Sequence, residues 1–351
     1  MKAVFIKIAL NVVLIFFISN KLYSNAAQPG VWNAGGTVFT MLYPEDSLSF
    51  KKVQMKQEHI YIQLYKGYAV VKGVYLFKNT TNKTLQFKMG YPINGIYAGG
   101  ENDLNEVTLD SLSQFKIKAN NNWITLLNEK HPELNNSNNK TQAFSDNWKV
   151  WDMLFTPNQT QQVEVFFIVN TNNAKIKKGY NVDYKNAFIY LLESGSVWHL
   201  PIEKGDFYIQ LMDGLHTEDV NGLSAGFNFK FNNKHNLYAG KKHNFSPTAK
   251  DNLVITYFEK DTHFSFKEVL ANTNQLFSSI NKLSHLPKSD LVFNTIDIGN
   301  PYAVKTTFEG ALPGLLMLLV IYSPVILGAI VLFFIIRFVI KRRKAKNNHA
   351  N

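Results

Sequence analysis

Residues 59–77 read His59-Ile60-Tyr61-Ile62-Gln63-Leu64-Tyr65-Lys66-Gly67-Tyr68-Ala69-Val70-Val71-Lys72-Gly73-Val74-Tyr75-Leu76-Phe77. Polar and apolar residues alternate on both sides of Lys66-Gly67, and a period of two belongs to strands rather than helices. Lys52-Val53-Gln54-Met55-Lys56 extends the alternation upstream. Downstream, Asn79-Thr80-Thr81-Asn82-Lys83 reads as a turn, and Thr84-Leu85-Gln86-Phe87-Lys88-Met89 returns. The pattern predicts a run of antiparallel strands with one buried face.

Working outward, further strands are expected at 115–118, 123–126, 149–155 and 161–169, with Thr156-Pro157-Asn158-Gln159 as the turn between the last two. A second strand-rich stretch covers 180–258, clearest at 187–192, 206–212, 225–231 and 253–258. The polar segment 170–178 between the two stretches marks an expected break. The Asn-, Lys- and Ser-rich block 128–147 reads as an exposed loop. Many short strands with turn signals between them argue for sheet packed on sheet. The expected fold is therefore mainly β: an antiparallel β-sandwich ectodomain of one or two subdomains, 27–172 and 173–262.

Ser265-Phe266-Lys267-Glu268 has the form of a capping box, in which the serine caps one amide and the glutamate reaches back to another. Phe266, Val269, Thr273, Leu276, Ile280 and Leu283 then recur at helical spacing up to Pro287. This predicts an amphipathic helix of about five turns inside a juxtamembrane segment, 263–311. A stripe this short is expected to pack on its own domain, with a self-association seam as the alternative. Residues 291–298 look strand-like, and a short linker leads to Pro313.

Two hydrophobic segments set the expected topology. Lys2 and Lys7 precede an apolar run over 8–18, and Ser24-Asn25-Ala26 supplies small residues for cleavage, so 1–26 reads as a signal peptide. Residues 315–336 carry no charge and, as a helix, extend about 33 Å against a hydrocarbon core of about 30 Å. Arg337, Lys341, Arg342, Arg343, Lys344 and Lys346 follow. A membrane span at 312–340 with a basic cytoplasmic tail, 341–351, is expected from the positive-inside rule. Pro324 predicts a kink in it, and Gly328 could admit a neighbouring helix. The expected location is the bacterial inner membrane, single-pass, with the bulk of the chain periplasmic.

The net charge of +11 comes mostly from the ends. Residues 28–310 hold 28 basic against 26 acidic side chains. That balance removes the main support for a nucleic-acid partner. All three arginines lie at 337–343, so the middle of the chain has no guanidinium fork for phosphate or carboxylate. The absence of cysteine excludes disulfides, zinc–thiolate sites and a catalytic thiol.

No Gly-x-Ser-x-Gly elbow, Walker loop, dinucleotide fingerprint or His-Glu-x-x-His helix is present, and no cofactor is expected. Glu101, Asp103, Asn105 and Glu106 place oxygen ligands as a hard cation would want them, but the glycine that turns an EF-hand loop is missing. His216 with Glu218 offers an imidazole beside a carboxylate, and His199 follows Trp198 at an expected strand end. Glu203 and Asp206 flank Lys204-Gly205, which reads as a turn. His199, Asp206, His216 and Glu218 are thus the candidates for any catalytic site assembled from distant residues. Trp32, Trp123, Trp148, Trp151 and Trp198 are expected in the core; exposed, they would form a platform for sugar or peptide.

Several runs resemble a family of exported bacterial proteins built on a domain of unknown function. They are Phe50-Lys51-Lys52-Val53-Gln54-Met55, Glu58-His59-Ile60-Tyr61-Ile62, residues 69–80, Met89-Gly90-Tyr91-Pro92, Leu154-Phe155-Thr156-Pro157, Tyr190-Leu191-Leu192-Glu193-Ser194-Gly195, Trp198-His199-Leu200-Pro201-Ile202 and Asn252-Leu253-Val254-Ile255-Thr256-Tyr257. The resemblance covers about 37–260. It implies export and a β-rich ectodomain, and brings neither catalytic residues nor a ligand.

The sequence leads to a membrane-anchored extracytoplasmic binding or scaffold protein of the bacterial envelope, with an envelope protein or glycan as partner. An envelope hydrolase, and a signalling or assembly subunit acting through a partner transmembrane helix, are the alternatives.

Overall fold

The computed structural model describes residues 30–32, 35–37, 40–41, 49–92, 95–98, 106–109, 112–129, 141–142, 148–178 and 181–347. The expected signal peptide, most of the 128–147 block and the end of the tail lie outside them. So do Glu101, Asp103 and Asn105, while Glu106 is described only as the first residue of a strand. The chain divides into a β-rich unit, Gln28–Lys178 with Val182–Val304, and a unit dominated by the C-terminal helix.

Among the described residues the largest sheet has nine strands. In spatial order they are β10 (Asn122–Trp123), β9 (Leu112–Ala119), β14 (Thr160–Asn170), β5 (Tyr68–Asn79), β4 (Val53–Tyr65), β17 (Ile202–Leu211), β20 (Leu237–Phe245), β19 (Lys230–Asn232) and β22 (Asn294–Thr295). A second sheet runs β1 (Gly30–Trp32), β15 (Ala174–Lys178), β16 (Asn181–Tyr190), β21 (Leu253–Glu259) and β18 (Val220–Leu223), with β2 (Gly35–Thr37) beside β16. A four-stranded sheet runs β11 (Leu127–Glu129), β13 (Trp148–Phe155), β6 (Leu85–Pro92) and β3 (Thr40–Met41). A three-stranded one runs β12 (Thr141–Gln142), β7 (Gly95–Ala98) and β8 (Glu106–Leu109).

The β4–β5 hairpin is the one that residues 59–77 predict. Tyr65 pairs with Tyr68 across Lys66-Gly67, and Gly67 takes φ +93°, open to glycine at no steric cost. Most pairs are antiparallel, as expected. The exceptions are β16 with β2 and, at the centre of the large sheet, β17 with β4, which pair in parallel. Strands from both sides of 170–178 therefore share one sheet, and that polar segment itself contains β15. The expected break between two subdomains is not a break in the sheets, because β17 completes the hydrogen bonding that β4 would otherwise expose as an edge.

The expectation of a single buried face also gives way. Ile60, Ile62 and Leu64 of β4 meet Phe188, Tyr190, Leu253, Ile255 and Tyr257 of the second sheet in one core. The alternate residues Tyr61 and Tyr65, with Val70, Phe166, Ile168 and Tyr208, form a second core on the opposite face. That face is covered by helix α2 (Thr273–His285), which contributes Leu276, Phe277, Ile280 and Leu283. The other face of the second sheet has a smaller cluster of its own, packed by Tyr302 and Val304.

The predicted five-turn helix is two helices, α1 (Phe266–Leu270) and α2. Ser265 makes no capping hydrogen bond through its side chain, and the Thr273 hydroxyl donates to the Leu270 carbonyl at the break. Glu203 to Asp206, expected as a turn, lies within β17. Of 225–231 only the end is strand, and 291–298 contributes only the two residues of β22.

The second unit is described by α3 (Phe308–Asn347), continuous through Pro313 and Pro324. Its stretch Phe308–Arg342 is long and apolar enough to cross a membrane, and none of its most apolar window is buried.

Gly73 lies under the Tyr75 ring, where an added Cβ would fall 2.5 Å from the tyrosine oxygen. Gly73→Ala is expected to cost about 1–3 kcal/mol through overpacking. Ile280→Ala, at a fully buried position of α2, should cost about 2–5 kcal/mol. Urea midpoints of the purified chain in detergent check both.

Candidate functional site

The two strands of the parallel pair place His59 opposite Asp206. His59 Nδ1 lies 2.9 Å from Asp206 Oδ2, and Lys204 Nζ reaches the same oxygen at 2.8 Å. Burial pushes the Asp206 carboxyl up, but hydrogen bonds from His59 and Lys204 outweigh it and hold it at about 2. A His–Asp pair resembles two thirds of a catalytic triad. The position a nucleophile would take at Nε2 is filled by Gln57 Oε1, 3.1 Å away. Both ring nitrogens are thus engaged by side chains of the sheet.

One step along the strands, Tyr61 stacks on Tyr208 with centroids 5.3 Å apart and planes 11° off parallel. The Lys288 ammonium stands 4.8 Å from one ring centroid and 5.1 Å from the other. It also donates to the Leu283 and Ser284 carbonyls, closing the C-terminal end of α2. Burial, with help from Lys72, lowers its pKa to about 8. Beyond it, Gln63 donates to Gln210 and to Ser279 of α2.

A second charged cluster fixes the middle of α2. Lys72 and Glu164, both buried, meet at 2.8 Å, and Lys72 also donates to Asn281 and Ser284. Burial pushes the Glu164 carboxyl up, and Lys72, with smaller help from Lys118 and Gln162, more than reverses it. Breaking a buried pair by removing one partner is far more costly than the pair's net contribution to stability.

A third polar group sits in the core between the two large sheets. Tyr190 donates to Glu58 Oε1 at 2.6 Å, and the Tyr75 hydroxyl lies 2.8 Å from that of Tyr190. Since Tyr190 has one proton and gives it to Glu58, Tyr75 donates to Tyr190. Glu58 is 3% exposed, and its Oε2 has no protein partner. Burial raises its pKa to about 7, against a smaller lowering by Tyr190.

The remaining sequence candidates do not join these clusters. His199 is exposed and pairs with Gln54, near the start of β4. Its Nδ1 lies 3.0 Å from the Lys51 carbonyl. His216 and Glu218 follow the opposite end of β17 and are exposed. There Asp219 accepts from the His216 backbone amide at 2.8 Å. Of the four candidates, only Asp206 belongs to a cluster with other titratable side chains. No group of three or more metal-ligating side chains is found among the described residues.

The tryptophans divide. Trp151 and Trp198 are core residues, as expected. Trp123 is not: it is 61% exposed, on the edge strand β10. Its indole lies 5.7 Å from the Phe166 ring, which leans in turn on Phe277 of α2. The hairpin that displays it turns at Asn120 and Asn121, both at positive φ, the conformation a tight two-residue β-turn needs.

Neither a protein-family model nor a curated protein matches the sequence. Among solved structures, a candidate nutrient binding protein of Legionella pneumophila is similar over 66% of this chain and 72% of its own, at 14% identity and a TM-score of 0.42. An M1 zinc metallopeptidase of Deinococcus radiodurans is similar over 59% of this chain and 42% of its own, at 7% identity and a TM-score of 0.31. Yeast LTA4 hydrolase is similar over 62% and 32%, at 8% identity and 0.32. The chain thus spans less than half of either hydrolase. Likeness at this level transfers neither a ligand nor an activity.

Glu58 sets a pH dependence whose sign follows from its raised pKa. Its contribution is fully present below about 4.5, where the carboxyl is protonated folded or unfolded, and is lost as pH rises through about 7. A shift of that size is worth about 3 kcal/mol. Urea midpoints should therefore be higher at about pH 5 than at about pH 8, and Glu58→Gln should remove most of the difference.

Proposed function

We propose that this protein is a membrane-anchored binding or scaffold component of the bacterial envelope. In this reading a β-sandwich domain is held outside the cytoplasm by one C-terminal transmembrane helix. The observation that carries it is the conjunction of a β-rich unit with Phe308–Arg342, an apolar helix with no buried face in its spanning window. An apolar helix without protein cover belongs in lipid.

The finer topology follows from charge. Arg337, Lys341, Arg342, Arg343, Lys344 and Lys346 stop transfer on the cytoplasmic side, and 1–26 acts as a cleaved signal. The span holds no carboxylate or histidine between 312 and 340, so it works as an anchor rather than as a proton or ion path. Recognition then falls to the exported unit. Its buried Lys72–Glu164 pair is tied to α2 by hydrogen bonds, and the His59–Asp206 pair is closed by Lys204 and Gln57, which favours rigid display over chemistry.

Leu319→Arg with Leu327→Arg places two charges in the middle of the span, each costing about 2.5–3.5 kcal/mol on insertion scales. The double variant should leave the membrane pellet after a carbonate wash, whereas the parent chain should stay in it. Protease added outside intact spheroplasts should digest the β-rich unit and spare a tag on the tail. A protected β-rich unit would overturn the topology.

A further inference from the structure

Helix α2 covers only part of the outer face of the nine-stranded sheet. It lies over Val70 and Lys72 of β5, both buried, whereas Val74, Leu76 and Lys78 on the same face are half-open. Strand register lines up a row along the margin of the uncovered part, in which Glu164 and Asp206 are buried and Trp123, Lys118, Val74 and His59 are exposed or half-open. Trp123 pairs with Lys118, Lys118 with Glu164, Glu164 with Val74, Val74 with His59, and His59 with Asp206. The neighbouring row passes through Gln162, Leu76, Gln57 and Lys204. From β10 to β17 this face is six strands wide, about 24 Å across at the usual spacing.

We infer that this open face binds an extended acidic polysaccharide. The inference rests on the binding reading above and names the ligand class. Trp123 offers a flat aromatic surface backed by Phe166, on which the C–H face of a sugar ring can stack. The Gln57 amide nitrogen and the Gln162 amide oxygen, whose other ends bond His59 and Glu164, supply a donor and an acceptor for hydroxyl groups. The sign of the ligand follows from how the charges are spent. Both carboxylates on the rows are already engaged, Glu164 by Lys72 and Asp206 by His59 and Lys204. With Lys204 spent on Asp206, Lys118 and the half-open Lys78 give the face its positive balance, which suits uronate-type carboxylates.

Other occupants fit less well. A peptide adding a strand needs a ladder, and the edge strand β10 is two residues long. A lipid surface needs contiguous apolar area, whereas Trp123 is surrounded by the exposed Asn120, Asn121 and Asn122.

The test is calorimetric titration of the full-length chain in detergent with hexagalacturonate, and with maltohexaose as the neutral counterpart. Saturable binding of hexagalacturonate is expected, with much weaker binding of maltohexaose. Trp123→Ala, at an exposed position, should weaken hexagalacturonate roughly tenfold while leaving the urea midpoint unchanged. Lys118→Gln should weaken it and reduce its salt dependence. No saturable binding, or binding that Trp123→Ala leaves intact, would overturn the inference. So would equal affinity for the neutral sugar, or binding to anionic phosphatidylglycerol vesicles in place of the oligouronate. Membrane retention of Trp123→Ala in the carbonate wash reports separately on the anchored reading.

Discussion

The parallel pairing of β4 with β17 is the contact on which the rest of the β-rich unit depends. It runs in unbroken register from Gln57 opposite Lys204 to Leu64 opposite Leu211. Without it, β4 and β17 would each present an unpaired edge in the middle of the molecule. With it, strands from the two halves of the chain form one nine-stranded sheet. The same register brings His59 to Asp206, Tyr61 to Tyr208 and Gln63 to Gln210. Parallel strands are usually buried on both faces, and here the second sheet supplies one cover and α2 the other.

Charge is handled differently on the two faces. Toward the second sheet, Glu58 is the exception among apolar neighbours, and burial raises its pKa to about 7 against the hydrogen bond from Tyr190. Toward α2, charges are kept ionised and matched: Lys72 with Glu164, Asp206 with His59 and Lys204. The Lys72–Glu164 pair ties α2 to the sheet through Asn281 and Ser284, and Lys288 holds the end of the helix over Tyr61 and Tyr208. What remains beyond the helix is an open, polar, mildly positive surface with an indole at its rim. Structure and proposed role meet there, because a sheet packed on its other face holds such a surface in place.

Much of this was legible in the residues. Local alternation identifies the β4–β5 hairpin, β13, β14 and β21, and the apolar run before Arg337 identifies α3. Pairing between distant strands was not legible, since register across long separations leaves no local mark. That is why Asp206 was singled out beside Glu203 as part of a turn, while its real partner, His59, lies on another strand. Two positions did carry a signal. Glu58 shares the parity of Ile60, Ile62 and Leu64, and so belongs to an apolar face. Lys72 shares that of Val70 and Val74. The second buried face was hidden because Tyr61, Gln63 and Tyr65 look like a solvated stripe until α2 is laid over them. Trp123 was hidden for the opposite reason: in an alternating strand an aromatic reads as core, and only the short edge strand leaves it exposed.

The central claim is that both halves of the chain form one cooperative sheet. Native-state hydrogen exchange of the full-length protein in detergent tests it most directly. The account predicts that the amides of β4, β5, β14 and β17 share one high opening free energy. It also predicts that Gly205→Val, which crowds Phe207 in β17, lowers protection in β5 and β14 as much as in β17. Exchange of β17 and β20 at a lower free energy than β4 and β5, with the mutation felt only in the second half, would contradict it.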